Sequence, residues 1–80
     1  MAKVTLRLFA GARELVGAGT ISYEANTVQD LLAQAQSDLG PEFVQMLSIS
    51  RVWLNGEPVE GDTQISEGDE VAVLPPVSGG

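Results

Sequence analysis

Apolar and polar residues alternate with a period of two at the start of the chain. Val4, Leu6 and Leu8 fall on one face of this segment, and polar side chains separate them. Alternation of this kind predicts a strand with one buried face. Other segments with strand-like patterns are residues 20–24, 51–55, 58–59 and 70–74. We expect the first two strands to pair, with residues 12–16 forming one helical turn between them.

The middle of the chain carries the clearest helical pattern. Its apolar residues recur at helical spacing and form one stripe, made of Val28, Leu31, Leu32, Ala35 and Leu39. Thr27 is expected to cap this helix, and Asp30 follows at the spacing of a capping box. Gly40 is expected to end the helix in a left-handed conformation, and Pro41 prevents its continuation. The mostly apolar sequence of residues 43–47 predicts one or two further helical turns over the core.

The remaining segments predict how the strands connect. Asn55-Gly56 is typical of a two-residue hairpin turn. Pro58 puts the return strand at a sheet edge, because proline lacks the N–H that an inner strand needs. The acidic loop that follows has one apolar anchor, Ile65. The order β-β-α-β-β-β predicts an α+β domain over residues 1–74, in which one main helix covers one face of a mixed sheet.

Composition narrows the possible functions. The chain has 80 residues, which suffice for one small domain. Eleven acidic and four basic residues give a formal charge of −7, which argues against partners such as nucleic acid or an anionic membrane. The chain has no cysteine and no histidine, which excludes disulfides, thiol catalysis and histidine-based acid–base catalysis and argues against zinc sites. We expect a cytoplasmic domain that catalyses nothing unaided.

Residues 75–80 are the most unusual segment and are expected to form a flexible tail. Pro75 and Pro76 favour an extended backbone, and only small residues follow up to Gly79 and Gly80. At about 3.3 Å per residue, the tail reaches roughly 20 Å. A glycine pair has no side chain, so it can enter a narrow channel and bring the Gly80 carboxylate to another protein's active site. The alternative is a frayed end or a cleavage remnant.

Three stretches spread along the chain carry a family pattern. They read FAGARELVG at residues 9–17, EGDEVA at residues 67–72 and PPVSGG at residues 75–80. In these stretches the chain resembles the small subunits of molybdopterin synthase, which belong to the ubiquitin-like β-grasp sulfur carriers. The resemblance covers nearly the whole chain and implies a β-grasp fold.

The resemblance also implies a mechanism in which this chain binds no cofactor itself. A ubiquitin-activating-like adenylating enzyme uses ATP and magnesium to adenylate the Gly80 carboxylate, and a sulfur donor protein then converts it to a thiocarboxylate. Gly79 and Gly80 enter the large subunit of molybdopterin synthase, where the sulfur is transferred to a pterin precursor. The chain is then the sulfur-donating, non-catalytic subunit of a transferase.

Several residues are candidates for contacts with these partners. They are Phe9, Arg13, Trp53, Leu74, Pro75, Pro76, Val77 and Ser78. Phe9 interrupts the strand alternation, so it either closes the core or belongs to an apolar docking patch. Trp53 is expected to face away from the main helix, as an interface anchor or in local packing. Arg13 is a solvated charge, a partner contact or a partner of Glu14 within the same loop.

Other functions share the same tail chemistry. A protein modifier would join Gly80 to a lysine of another protein after the same adenylation. A sulfur carrier could instead serve tRNA thiolation, or cysteine or thiamine synthesis. A plain binding domain with an incidental Gly-Gly end is the remaining alternative.

Overall fold

The computed structural model describes residues 1–76, and within this range it has five strands and three helices. The strands are β1 (Ala2–Leu8), β2 (Thr20–Ala25), β3 (Arg51–Leu54), β4 (Glu57–Pro58) and β5 (Glu70–Leu74). The helices are α1 (Ala10–Val16), α2 (Val28–Leu39) and α3 (Pro41–Ser48). The predicted element order is confirmed, and the two segments expected as short helical turns are the helices α1 and α3. Among the described residues, no helix is long and apolar enough to cross a membrane.

The strands form one mixed sheet in the order β2-β1-β5-β3-β4. β1 pairs with β2 in the antiparallel direction, as expected, and with β5 in the parallel direction. β3 is antiparallel to both β5 and β4, and Pro58 lies in the edge strand β4. This arrangement confirms the α+β, ubiquitin-like β-grasp fold. Because β1 and β5 are parallel neighbours, the residue after β1 and the residue after β5 lie side by side at the same end of the strands.

The core lies between one face of the sheet and the helices. Val4, Leu6 and Leu8 are at most 2% exposed, which confirms the predicted alternation in β1. Val71 and Val73 of β5 are fully buried on the same side, since they pair in register with Leu6 and Leu8. The helices contribute five fully or almost fully buried apolar residues, which are Ala12, Val28, Leu31, Ala35 and Phe43. The opposite face of the sheet therefore carries the alternate residues of each strand.

The start of α2 follows the prediction with one difference. Thr27 is the N-cap, and its Oγ1 accepts a hydrogen bond of 3.1 Å from the Asp30 N–H. The Asp30 carboxylate accepts from the Asn26 N–H at 3.2 Å, and not from the N–H of the cap residue itself as a capping box requires. Asp30 has a shorter side chain than the usual glutamate. The cap nevertheless satisfies two backbone donors.

The end of α2 differs from the prediction. Gly40 has φ 92° and ψ −179°, so its φ is positive but its backbone is not in the left-handed helical region. The extended ψ turns the chain directly into α3, of which Pro41 is the first residue. Proline fits this position because the first N–H of a helix has no helical acceptor. The glycine therefore acts as a corner between two helices rather than as a left-handed cap.

The hairpin after β3 is held at its turn and at its base. Asn55 and Gly56 have φ values of 49° and 86°, which are the positive values that this two-residue turn requires. The Asn55 amide donates to Asp69 at 3.1 Å, and its oxygen accepts from the Glu70 N–H at 2.9 Å. The turn is thereby joined to the first residue of β5.

Candidate functional site

The last strand delivers the tail to one edge of the sheet. Val73 of β5 is fully buried, while Leu74 is half-buried on the opposite face, so Val73 points inward and Leu74 outward. Pro75 is buried and Pro76 is exposed. The chain is thus covered by the folded domain for one residue beyond β5, and the boundary after Leu74 stays a prediction. The tail residues Val77, Ser78, Gly79 and Gly80 lie outside the described residues.

Beside the root of the tail, the outer face of the sheet presents a set of neighbouring side chains. Arg7 lies next to Ala72, Ala72 next to Trp53, and Trp53 next to Pro58 across the strands. One row closer to the tail, Leu74 lies next to Arg51, and Phe9 follows the end of β1. We call this set the platform; its members are Arg7, Phe9, Arg51, Trp53, Pro58, Ala72 and Leu74.

Phe9 belongs to the surface and not to the core. Phe9 is 37% exposed, so the alternative in which it closes the core is wrong, and its role in an apolar docking patch stays a prediction. The Arg7 guanidinium carbon lies 5.4 Å from the centre of the Phe9 ring, a cation–π distance. The Phe9 carbonyl accepts from the N–H groups of Ala12 and Arg13 at 3.1 and 3.3 Å, which ties the residue to the start of α1. The aromatic ring is therefore held at the sheet edge with its surface available to a partner.

Trp53 faces away from α2, as the sequence predicted. It is half-buried and lies between Ala72 and Pro58 on the outer face. A small neighbour and a flat proline ring leave part of the indole uncovered. Local packing and contact with a partner are compatible in this position, and the second of these roles stays a prediction.

Arg13 is hydrogen-bonded through its backbone to Phe9, and its side chain packs against Gly19, in the segment that joins α1 to β2. The Nε atom of Arg13 would lie 3.5 Å from a Cβ atom placed on Gly19. The only salt bridge within residues 1–76 joins Arg7 to Glu70 at 3.4 Å. Arg13 thus supports its loop through Gly19 rather than through Glu14. A contact between Arg13 and a partner stays a prediction.

The titratable groups with shifted pKa values lie elsewhere. Burial, with a hydrogen bond of 3.0 Å from the hydroxyl to Asp38, raises the pKa of Tyr23 to about 12. The Ser66 N–H and the Asn55 amide lower the pKa of Asp69, which precedes β5 at the end opposite the tail. Both groups take part in hydrogen bonds that join different segments of the fold. The described residues near the tail supply a surface and a tether, which suit the presentation of the tail to another protein.

Comparisons with known proteins agree with this geometry. The model of the ThiS family matches residues 6–80. The chain belongs to the ThiS family. It is a small ubiquitin-like sulfur carrier of the kind that includes molybdopterin converting factor subunits. A search of curated proteins finds no match for this ThiS-family chain.

Solved structures support the same placement. The small archaeal modifier protein 1 from Methanosarcina acetivorans is 28% identical, with a TM-score of 0.86, over 100% of this chain and 98% of that one. A putative molybdopterin converting factor subunit 1 from Pyrococcus furiosus is 26% identical, with a TM-score of 0.83, over 96% and 100%. In the complex of subunits 1 and 2 of molybdopterin-converting factor from Helicobacter pylori, one chain is 25% identical, with a TM-score of 0.76. The match covers 98% of this chain and 99% of that one. This ThiS-family chain therefore has the length and fold of both carriers and modifiers.

Sequence reasoning missed two basic members of the platform. No role was assigned to Arg7 or Arg51 from the sequence. Their significance depends on strand register, because β1 and β3 lie on opposite sides of β5. The sequence alone carries no signal for that arrangement.

Proposed function

We propose that this ThiS-family chain is the sulfur-donating small subunit of molybdopterin synthase in the cytoplasm. The observation that carries the proposal is the platform, which places Phe9, Trp53 and Leu74 beside the root of the Gly-Gly tail. A partner that binds the platform receives the tail at the same time. The similarity to the Helicobacter pylori complex of subunits 1 and 2 supports a large subunit as that partner.

The proposed reaction needs an activated tail. The Gly80 carboxylate attacks the α-phosphate of ATP in the adenylating enzyme, which releases pyrophosphate and forms an acyl-adenylate with magnesium bound to the enzyme. The sulfur donor protein then supplies sulfur at the oxidation level of sulfide, which attacks the acyl carbon, displaces AMP and leaves a thiocarboxylate. A carboxylate is a poor electrophile until a leaving group such as AMP is attached to it. This chain has no cysteine or histidine that could catalyse that attachment. The chain therefore contributes recognition and reach, and its partners contribute catalysis.

In the large subunit, the thiocarboxylate would give its sulfur to a pterin precursor of the molybdenum cofactor. Pro75 is buried by the domain itself, so the proposed tail contacts begin at Pro76 and continue with Val77 and Ser78, with Gly79 in the narrowest part of the channel. The small side chain of Ser78 and the absence of one at Gly79 and Gly80 minimise steric hindrance as the tail enters.

A protein modifier is the second candidate, and one observation favours it. The small archaeal modifier protein 1 superposes on this chain with a TM-score of 0.86. The modifier would use the same adenylate but transfer Gly80 to a lysine amine. Sulfur carriers for tRNA thiolation, or for cysteine or thiamine synthesis, would share the thiocarboxylate and differ only in the acceptor.

Intact mass spectrometry tests the proposal. The chain is incubated with its adenylating enzyme, ATP, magnesium and the sulfur donor, and a variant that lacks Gly80 is the control. Replacement of one terminal oxygen by sulfur in the full chain alone is expected. Addition of the large subunit and a pterin precursor should then return the ordinary carboxylate. A ladder of covalent adducts without a thiocarboxylate would instead favour the modifier, and an unchanged mass would refute both.

A further inference from the structure

Charge is distributed very unevenly over the molecule. The strand positions that face away from α2 carry three of the four basic residues, which are Lys3, Arg7 and Arg51. The same face carries only two of the eleven acidic residues, Glu24 and Glu70. All nine other acidic residues lie elsewhere, together with Arg13 alone. The outer sheet face is therefore slightly basic, although the whole chain has a charge of −7.

Within this face, Arg51 is the basic residue best placed to meet a partner. Arg7 already pairs with Glu70 at 3.4 Å, and Lys3 lies opposite Glu24 in the register of β1 and β2. Arg51 lies opposite Leu74, the residue at the tail root, and is exposed. Among the described residues it has no salt bridge. Its charge is thus uncompensated at the point where the tail leaves the sheet.

The distance between the two faces decides which charges a docked partner experiences. The helices cover one face of the sheet, and the platform lies on the other. At physiological ionic strength the Debye length is about 8 Å, which weakens the effect on a docked partner of the acidic residues carried by the helices, namely Glu14, Asp30, Asp38 and Glu42. Among the described residues, the charges nearest to such a partner are those of the platform and of Glu57 in the edge strand β4. The overall charge of −7 therefore does not describe this face.

We propose that the adenylating enzyme receives the platform with an acidic surface, in which a carboxylate meets Arg51 beside an apolar patch covering Trp53 and Leu74. The proposal rests on the proposed carrier function, since an activating enzyme must hold the tail root. It deepens that function by naming the chemistry of the partner surface. The acidic helical layer would be repelled by the same surface, so the charge pattern also fixes which face of the carrier docks.

Paired charge variants provide the first test. Arg51→Gln removes one positive charge from the platform, and Ser37→Asp adds one negative charge to an exposed position of α2, so both raise the net negative charge by one. The carrier's KM is measured with purified adenylating enzyme by ATP–pyrophosphate exchange. We expect Arg51→Gln to raise KM about five- to tenfold without changing kcat, Arg51→Lys to restore most of the affinity, and Ser37→Asp to have no effect.

Cross-linking provides the second test. Lys3 is the only lysine, so a Lys3→Arg background has no lysine amine. Adding Arg51→Lys or Ser37→Lys then places one lysine amine on the platform or on the helical layer. A carbodiimide joins an amine directly to a carboxylate, and cross-linked peptides are identified by mass spectrometry. Cross-links to enzyme aspartate or glutamate are expected from the Arg51→Lys variant and not from the Ser37→Lys variant.

The outcomes separate the inference from the carrier function. Normal pyrophosphate exchange with an unchanged KM for Arg51→Gln, or equal cross-linking from both introduced amines, would overturn the acidic surface and leave the carrier function intact. No exchange with the unaltered chain would overturn the carrier function and this inference with it.

Discussion

Asn55 offers a sharp test of how the fold holds β5 and, through it, the tail. Its backbone has φ 49°, and its side chain joins Asp69 at 3.1 Å and the Glu70 N–H at 2.9 Å. The Asn55 N–H also donates to the Glu70 carbonyl at 2.9 Å, a bond that any residue except proline can keep. Substitutions at this position therefore separate side-chain hydrogen bonds from backbone strain.

The two contributions have different sizes for alanine and glycine. Each exposed side-chain hydrogen bond contributes about 0.5–1 kcal/mol, and both substitutions at Asn55 remove both bonds. Alanine additionally pays about 1 kcal/mol for the left-handed φ, whereas glycine has no such steric cost but is more flexible when unfolded. We expect Asn55→Ala to lower the free energy of unfolding by about 2–3 kcal/mol and Asn55→Gly by about 1–2 kcal/mol.

Urea denaturation followed by tryptophan fluorescence measures these values, with Trp53 as the single tryptophan. A loss of about 2 kcal/mol corresponds to a fall in Tm of roughly 10 °C for a domain of this size. Equal losses for Asn55→Ala and Asn55→Gly would show that the positive φ costs alanine no more than unfolded-state flexibility costs glycine at this site. Unchanged stability in both would refute the view that the Asn55 network anchors β5.

Three further predictions use other residues. Hydrogen bonds lower the pKa of Asp69, so its contribution to stability is present above its ordinary pKa of 3.8 and is lost as the pH falls through the lower pKa of the folded state. The free energy of unfolding of the unaltered chain should therefore exceed that of Asp69→Asn above pH 3.8, and an acid titration should show this difference disappearing below the folded pKa. The pKa of Tyr23 is raised from 10.0 to about 12, so its contribution should be present below pH 10 and lost between these values, and Tyr23→Phe should remove that alkaline step. Phe9→Asp should raise the carrier's KM in pyrophosphate exchange at least tenfold, whereas Leu15→Asp, at 38% exposure against 37%, should leave it unchanged; equal effects would assign Phe9 to ordinary surface.

Most of the fold could be predicted from the sequence because its signals are local. The alternation of Val4, Leu6 and Leu8, the stripe of α2 and the Asn55-Gly56 turn each depend on neighbouring residues, and each is confirmed. Gly40 was misassigned because a positive φ is compatible with more than one ψ, and the sequence indicates only the need for glycine. The corner that leads into α3 depends on how the two helices pack.

The candidate site was only partly predictable because it depends on strand order. The exposed position of Phe9 and the outward direction of Trp53 could be considered from alternation, yet the neighbours of each residue could not. The parallel pairing of β1 with β5 brings Phe9 to the tail root, and the antiparallel pairing of β3 brings Arg51 there from the other side. Such contacts join residues more than twenty positions apart, so no local pattern contains them.

The division between tail and platform has a consequence for specificity. In each of the proposed functions, adenylation and then thiocarboxylate or isopeptide formation would use the same Gly80 carboxylate, so the tail would not select between a sulfur acceptor and a lysine. The selection must come from surfaces that decide which partner holds the tail root. In the described residues, the platform is the surface that adjoins this root, and it combines exposed apolar groups with the uncompensated charge of Arg51. Substitutions in the platform should therefore change the choice of partner while leaving the chemistry at Gly80 the same.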